Sequence, residues 1–356
     1  MPSTAPKLSE ATTYCPRGGV SRAPALPATG SGTAEKVYRM ARRMAKRRSA
    51  IALPVDPARG ATLVIDVLVG VPSKCGPMST FPEILKGIHK RAEIEVRERP
   101  ELGQIMIGVY HQAPGEFHPK PARGGPSGWA GRDRSGTILI YPFEEEAVSA
   151  VARGSMAVSV LATYERLGVD SIDTDDAKAV SVLVRRLHGA GHRRIGFLSW
   201  PYPVACDWVA RRHAAYAGAL RALSLETNDG WELNAPSSAA VLGPAAVADA
   251  VAAQIRLSGV TAWVCAADHQ AYTLIGDLRS RGLRVPEDVS VTGFDGIEPP
   301  KGMPQVDSMR VPHGHIGSSA LTRMINRLVY PSSPRKKIFF DTQLVPGETI
   351  AAPRQG

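Results

Sequence analysis

The sequence predicts an α/β protein built on parallel sheets, and three stretches carry that prediction. The first is residues 258–296. An apolar run of strand length (261–266) is followed by Ala271, Leu274, Ile275 and Leu278 at i, i+3, i+4 and i+7, one face of a helix, and then by a second apolar run, 289–291. Strand, helix and strand of this length form a βαβ unit, with parallel strands and a right-handed crossover. The second is residues 62–71, a buried-strand pattern followed by a helical face of Phe81, Ile84, Leu85, Ile88 and Ala92. The third is the same alternation repeated between 169 and 301.

Within the βαβ unit an acidic residue follows each strand, Asp268 and Asp295. Parallel strands end at one sheet edge, and in open α/β sheets that edge lines the ligand crevice. Two readings stand: both carboxylates face a ligand, or Asp268 only caps a helix and Asp295 only occupies a turn. Arg279 and Arg281 suit the helix's last turn, and Gly282 suits its stop.

Composition narrows the class. At 356 residues the chain has room for two or three domains. No run of 18 apolar residues suggests a membrane span, and no secretory leader is visible. Cys15, Cys75, Cys206 and Cys265 form no C-x-x-C, so neither a disulfide framework nor a zinc site is expected, and a reducing cytoplasm is. No metal and no cofactor are expected. The net charge of +10 is uneven: residues 1–60 hold eleven Lys/Arg against three Asp/Glu, leaving the body near neutral. A basic arm on a near-neutral body is the footprint of a head that binds double-stranded DNA.

Residues 1–33 are rich in Pro, Gly, Ser, Thr and Ala, and order is expected from about Thr33. Val37, Met40, Ala41 and Met44 then make an apolar helical stripe. Arg39, Arg43, Arg47 and Arg48 lie among the cations around it, suited to phosphates.

In the body, strands are expected at 62–71, 105–109, 137–141 and about 158–161, with a Pro/Gly-rich loop at 111–136 that holds no phosphate-cradle motif. Residues 169–176 lead into a helix with Val180, Leu183, Val184 and Leu187 on one face, then a turn at Gly189 and Gly191 and a strand at 195–198. His192, Arg193 and Arg194 suit a solvated turn. The helix at 208–220 is expected to bury Trp208, Ala215, Tyr216, Ala219 and Leu220. Arg212 falls near its N-terminal end, where the helix dipole disfavours a cation, so a functional reason for it is sought. Ile316, Ala320, Met324 and Leu328 mark a helix, and 338–344 a final strand.

The motif A-W-V-C-A-A-D-H-Q-A at 262–271 followed by L-R-S-R-G-L-R-V-P-E-D-V-S-V-T-G-F-D resembles the effector-binding core of the LacI/GalR family of bacterial regulators. H-G-A-G-H-R-R-I-G-F-L at 188–198, M-P-Q-V-D-S-M-R-V-P at 303–312 and L-V-P-G-E-T at 344–349 are similar to further landmarks of that family. The resemblance implies two α/β lobes of the periplasmic-binding-protein type behind a small basic, partly helical head. The head and hinge would be 1–60. Within an effector domain of 61–352, lobe one would be about 61–168 plus 302–330, and lobe two about 169–301 plus 331–352.

The same resemblance implies that Arg212 and Asp295 hydrogen-bond an effector, with Asp268 as the matching acid after the first strand. A guanidinium fork and a carboxylate can bracket vicinal hydroxyls, so a carbohydrate is the expected ligand. G-V-S-R-A at 19–23 resembles the start of the family's recognition helix, which adds Arg17, Ser21 and Arg22 to the expected DNA contacts. Pro24 and Pro27 interrupt that helix, and an interior Pro costs about 3 kcal/mol, so the head is read as degenerate. A homodimer is implied, since paired heads read paired half-sites.

Three functions are weighed. One is an effector-controlled, DNA-binding transcriptional regulator. Another is a cytoplasmic sugar sensor that has lost specific DNA binding. The third, a hydrolase using Asp268 and Asp295, has no G-x-S-x-G, zinc motif or Cys/His pairing behind it, and no enzyme is expected.

Overall fold

The computed structural model describes residues 8–14, 20–22, 62–70, 80–112, 134–202, 204–236, 238 and 241–354. These fall into two compact units. The first takes the described residues before 74 with 81–173 and 313–338; the second takes Thr80, 174–312 and 339–354.

The first unit is built on an eight-stranded sheet. Its centre is β3 (Thr62–Gly70), a run of Val, Ile and Leu buried on both faces, as a parallel strand covered by helices requires. β4 (Gln104–Gln112) and β5 (Arg134–Ile140) flank it in parallel, then β6 (Met156–Val160) and β7 (Asp170–Thr174) follow beyond β5. Helix α1 (Phe81–Glu98) turns Ile84, Ile88, Ala92 and Val96 inward, with Glu83 in its first turn and Arg97 in its last, both favourable to the helix dipole. Helix α2 (Glu145–Gly154) joins β5 to β6. Buried Asp170 accepts from Arg323 Nε and from the Lys336 amide, each at 2.7 Å, tying β7 to the returning chain.

Beyond β4 the sheet continues through β1 (Leu8–Tyr14) and β2 (Val20–Arg22), both antiparallel additions. This corrects two expectations: structure begins well before Thr33, and residues 20–22 form a strand where the start of a recognition helix was expected. Thr12, Thr13, Tyr14 and Val20 favour extended backbone, and the edge of β4 offers a row of backbone groups on which a strand can add.

The second unit carries a six-stranded sheet. α3 (Asp176–Gly189) leads to β8 (Ile195–Leu198), α4 (Asp207–Ala222) to β9 (Glu232–Leu233), and α5 (Pro244–Ser258) to β10 (Ala262–Cys265). α6 (Asp268–Ser280) leads to β11 (Ser290–Asp295), and β12 (Asp307–Arg310) follows. Neighbours from β9 through β8, β10, β11 and β12 are parallel, and β14 (Gln343–Val345) closes the edge antiparallel to β12. α6 stops at Gly282, whose φ of +76° is the left-handed turn that glycine permits. The core gathers Trp231, Trp263, Val251, Ile275, Leu278 and Val291.

Three boundaries differ from the sequence reading. The passages between units lie at 173/174, 312/313 and 338/339. β12 stays with the second unit because it hydrogen-bonds to β11, and the chain returns to the first with α7 (His313–Val329). The expected strand at 338–344 is two short ones, β13 (Lys337–Phe340) in the first sheet and β14 in the second. His192 is buried rather than solvated. Its Nδ1 meets Thr261 Oγ1 at 2.8 Å and its Nε2 meets Ser290 Oγ at 2.9 Å, so it joins the starts of β10 and β11. Burial lowers its pKa.

Candidate functional site

The parallel strands β8, β10 and β11 all end at one edge of the second unit's sheet, and Arg212 reaches that edge from α4. Its side chain is buried. Nε donates to Asp176 Oδ1 at 3.0 Å and Nη1 donates to the Ala266 carbonyl at 2.6 Å. The guanidinium carbon stands 3.5 Å from the Phe294 ring centre and 4.7 Å from that of Trp208. Such cation–π contacts add attraction and fix the plane of the group.

Asp176, the first residue of α3, is the buried counter-ion. It also accepts from Arg211 Nε at 2.8 Å and from Thr174 Oγ1 at 3.0 Å. One carboxylate therefore holds two adjacent guanidinium groups. A buried pair of this kind is kept only with good geometry, because desolvating the charges is costly.

Asp295 ends β11, and its Oδ1 lies 4.0 Å from Arg212 Nη1. It adopts φ +122°, a conformation that side chains rarely take and that costs on the order of 1–3 kcal/mol. Its own carbonyl accepts from Val311 N at 3.0 Å, which helps hold the strained turn. Burial raises its carboxyl to about 8, against the pull of Arg212 and with the push of Asp268 and Asp176. Guanidinium and carboxylate thus stand side by side, offering donors and an acceptor to a hydroxyl-bearing ligand.

Asp268 sits behind this pair rather than beside it. It is fully buried. Oδ1 accepts from Ser308 Oγ at 2.7 Å and Oδ2 from the Ile297 amide at 2.9 Å. Burial raises its pKa to about 6, opposed by the Ser308 hydroxyl and the Ile297 and Gly296 amides. Its carboxylate does not cap its own helix. It fastens the turn that follows Asp295, and Gly293 makes room for it: a Cβ at 293 would overlap Asp268 Oδ1 and stand 3.2 Å from its Cα. Of the three residues expected at the effector, the structure brings Arg212 and Asp295 to the edge and puts Asp268 beneath.

Of the expected DNA contacts, Arg17, Arg39, Arg43, Arg47 and Arg48 lie outside the described residues, as does the basic helix read at 33–48. Ser21 and Arg22 lie in β2, paired with Thr13 and Thr12. Among the described residues, no group of three or more His, Cys, Asp or Glu is arranged to hold a metal ion, and no helix is long and apolar enough to cross a membrane.

Sequence reasoning missed Asp176, Arg211 and Ser308, and it assigned Trp208 to the buried helix face. In the structure Arg212 takes the buried place and Trp208 stays half-exposed. The signal was available: consecutive Asp175–Asp176 at a helix start and consecutive Arg211–Arg212 invite an ion pair. Asp175 caps the helix through the Lys178 amide, which leaves Asp176 free for the arginines.

Comparison with known proteins agrees with this architecture. Residues 184–350 match the model of a periplasmic binding protein-like domain. An uncharacterised HTH-type transcriptional regulator of Streptomyces limosus is 29% identical over 194 residues, 54% of each chain. The HTH-type transcriptional regulator MalR of Streptomyces coelicolor is 31% identical over 192 residues, 51% of this chain and 52% of its own. The chain thus spans about half the length of the curated relatives it matches. Among solved structures, a LacI family transcriptional regulator from Enterococcus faecium with bound ribose superposes with a TM-score of 0.62 at 17% identity, covering 82% of this chain and all of that one. The fold is that of LacI-family effector domains.

Proposed function

We propose that this chain, a relative of the LacI/GalR regulators, is a transcriptional regulator whose affinity for DNA is set by a sugar-like effector held at Arg212 and Asp295. The observation that carries the proposal is the Arg212–Asp295 pair. A guanidinium and a carboxyl group stand 4.0 Å apart at the ends of parallel strands, one locked by Asp176 and the other in strained backbone. Strain and buried charge at a strand-end edge favour a ligand role over a structural one. The ribose held by the E. faecium structure and the HTH-type description of the Streptomyces relatives support a sugar effector and DNA as partners.

In this reading the basic residues Arg17, Arg39, Arg43, Arg47 and Arg48, with Ser21 and Arg22, meet the operator. The protein works as a cytoplasmic homodimer and catalyses no reaction. Effector and DNA change each other's affinity by the same factor, as linkage requires. A second reading has one observation in its favour: Val20–Arg22 is a strand, not a helix. On that reading the chain is a sugar sensor without base-specific DNA binding.

Fluorescence anisotropy separates the two. The full chain is titrated onto its own upstream promoter duplex and a scrambled duplex over a salt series, with and without sugars. Promoter-selective binding that a sugar shifts supports the regulator. Equal, weak binding to both duplexes that salt abolishes sinks it and leaves the sensor.

A further inference from the structure

Next to Arg212 the loop from β8 to α4 and the first turn of α4 carry three large aromatic side chains, Trp200 and Tyr202 in the loop and Trp208 in the helix. All three are half-buried. Trp208 lies against Arg212, and its ring centre is 5.3 Å from that of Tyr202 at 66°. Tyr202 Oη meets His269 Nε2 at 3.1 Å and accepts from Gln270 Nε2 at 2.8 Å. The His269 ring in turn meets Trp200 edge-on at 5.0 Å. The result is one continuous band, Arg212, Trp208, Tyr202, His269, Trp200, stepping about one ring width at a time.

Rings this large are expensive to leave partly wet, since fully burying a side chain of this kind from water is worth about 1.5–3 kcal/mol on transfer scales and these are buried only in part. The phenol is also held by a fully buried amide, Gln270, whose Oε1 has no hydrogen-bond partner among the described residues. Buried polar groups are usually satisfied, so a buried amide used to orient a half-exposed ring points to a ring whose position matters. Tyr and Trp present flat apolar faces at low entropic cost, suited to the C–H faces of a sugar.

We infer that this band is a second subsite at the same strand-end edge, and that the effector is a saccharide of at least two rings. Resting on the sugar reading above, the first ring places its hydroxyls at Arg212 and Asp295, and the second stacks along Trp208, Tyr202 and Trp200. Arg212 and Asp295 recognise hydroxyl pattern. The aromatic band selects length.

The test is calorimetric titration of the full chain with cellobiose, maltose, lactose and xylobiose, and with glucose, galactose and xylose. The expected result is one disaccharide binding at least tenfold tighter than its constituent monosaccharides. Trp200→Ala should lower that disaccharide's affinity about tenfold and leave monosaccharide affinity within twofold; Trp200→Phe should restore part of the loss. In the unmutated protein the disaccharide, and not the monosaccharide, should shield tryptophan emission from acrylamide, a readout that stands even where a variant fails to fold. Equal affinity for mono- and disaccharide, or equal shielding, overturns the two-ring inference while Arg212 and its sugar survive. Binding of none of these sugars overturns both.

Discussion

Arg212 Nε donates to Asp176 Oδ1 at 3.0 Å, so the direction of the guanidinium is set by the first residue of another helix. Asp176 lies three residues after the chain passes from the first unit into the second, and Val311, just before the return passage, donates to the Asp295 carbonyl. Both members of the pair are thus anchored by residues close in sequence to the points where the chain passes from one unit to the other.

The first prediction concerns Asp176. Asp176→Ala leaves two guanidinium groups facing a buried, unpaired site, a change that costs about 3–5 kcal/mol of stability. Asp176→Asn keeps the shape and some hydrogen bonding, and should lose less. Urea unfolding gives the stability change and calorimetry the sugar affinity. A well-folded Asp176→Asn protein with unchanged affinity would remove Asp176 from the positioning of Arg212.

Arg212 itself should be more sensitive in binding. Arg212→Ala removes charged hydrogen bonds to a ligand, worth about 1.5–3 kcal/mol, or roughly one to two decades in Kd. Arg212→Lys retains the charge but loses the fork and the stacking on Phe294, so it should recover little of the affinity. A lysine variant that binds like the parent would show that charge alone suffices.

Much of this arrangement is legible in the sequence because parallel strands announce themselves as short apolar runs and βαβ geometry forces their ends to one edge. That reasoning brought Asp268 and Asp295 to one edge, and the family resemblance added Arg212 beside Asp295. It could not separate Asp268 from Asp295, since both follow a strand; what separates them is a third partner, Ser308, forty residues further on. It also put Trp208 on the buried face of its helix, a place that Arg212 takes. Helical periodicity says which residues share a face, and not whether a buried carboxylate from another helix waits to receive a cation there. At the N-terminus the local resemblance to a recognition helix pointed one way, and the free edge of β4 determined the other.

Gly293 supplies a packing prediction. It is a strand residue with no side chain directly against Asp268, and Gly293→Ala should force the carboxylate off Ser308 or the backbone off register. Overpacking of this kind costs about 1–3 kcal/mol. The turn after Asp295 should loosen with it, so sugar affinity should fall alongside Tm. Unchanged Tm in a Gly293→Ala protein would mean that Asp268 has more freedom than its bonds indicate.

His192 makes a pH prediction. Burial depresses its folded pKa, while the unfolded chain titrates near about 6.5. The unfolded state therefore binds more protons as pH drops below that value, and the stability contributed by neutral His192 is present above about pH 6.5 and lost as pH falls towards the folded pKa. His269, lowered to about 4 by burial and by Arg212, adds a loss of the same sign between about 6.5 and 4. Asp268 works the other way: its pKa is raised to about 6, so its contribution is present at low pH and lost as pH rises through 6. The His192 share is isolated by comparison. Tm is measured from pH 8 to pH 5 in the parent and in His192→Gln, which can still hydrogen-bond but does not titrate. The variant should start less stable at pH 8 and lose less on acidification, so the two curves converge. Parallel curves would mean that His192 is protonated in the folded protein or plays no part in its acid sensitivity.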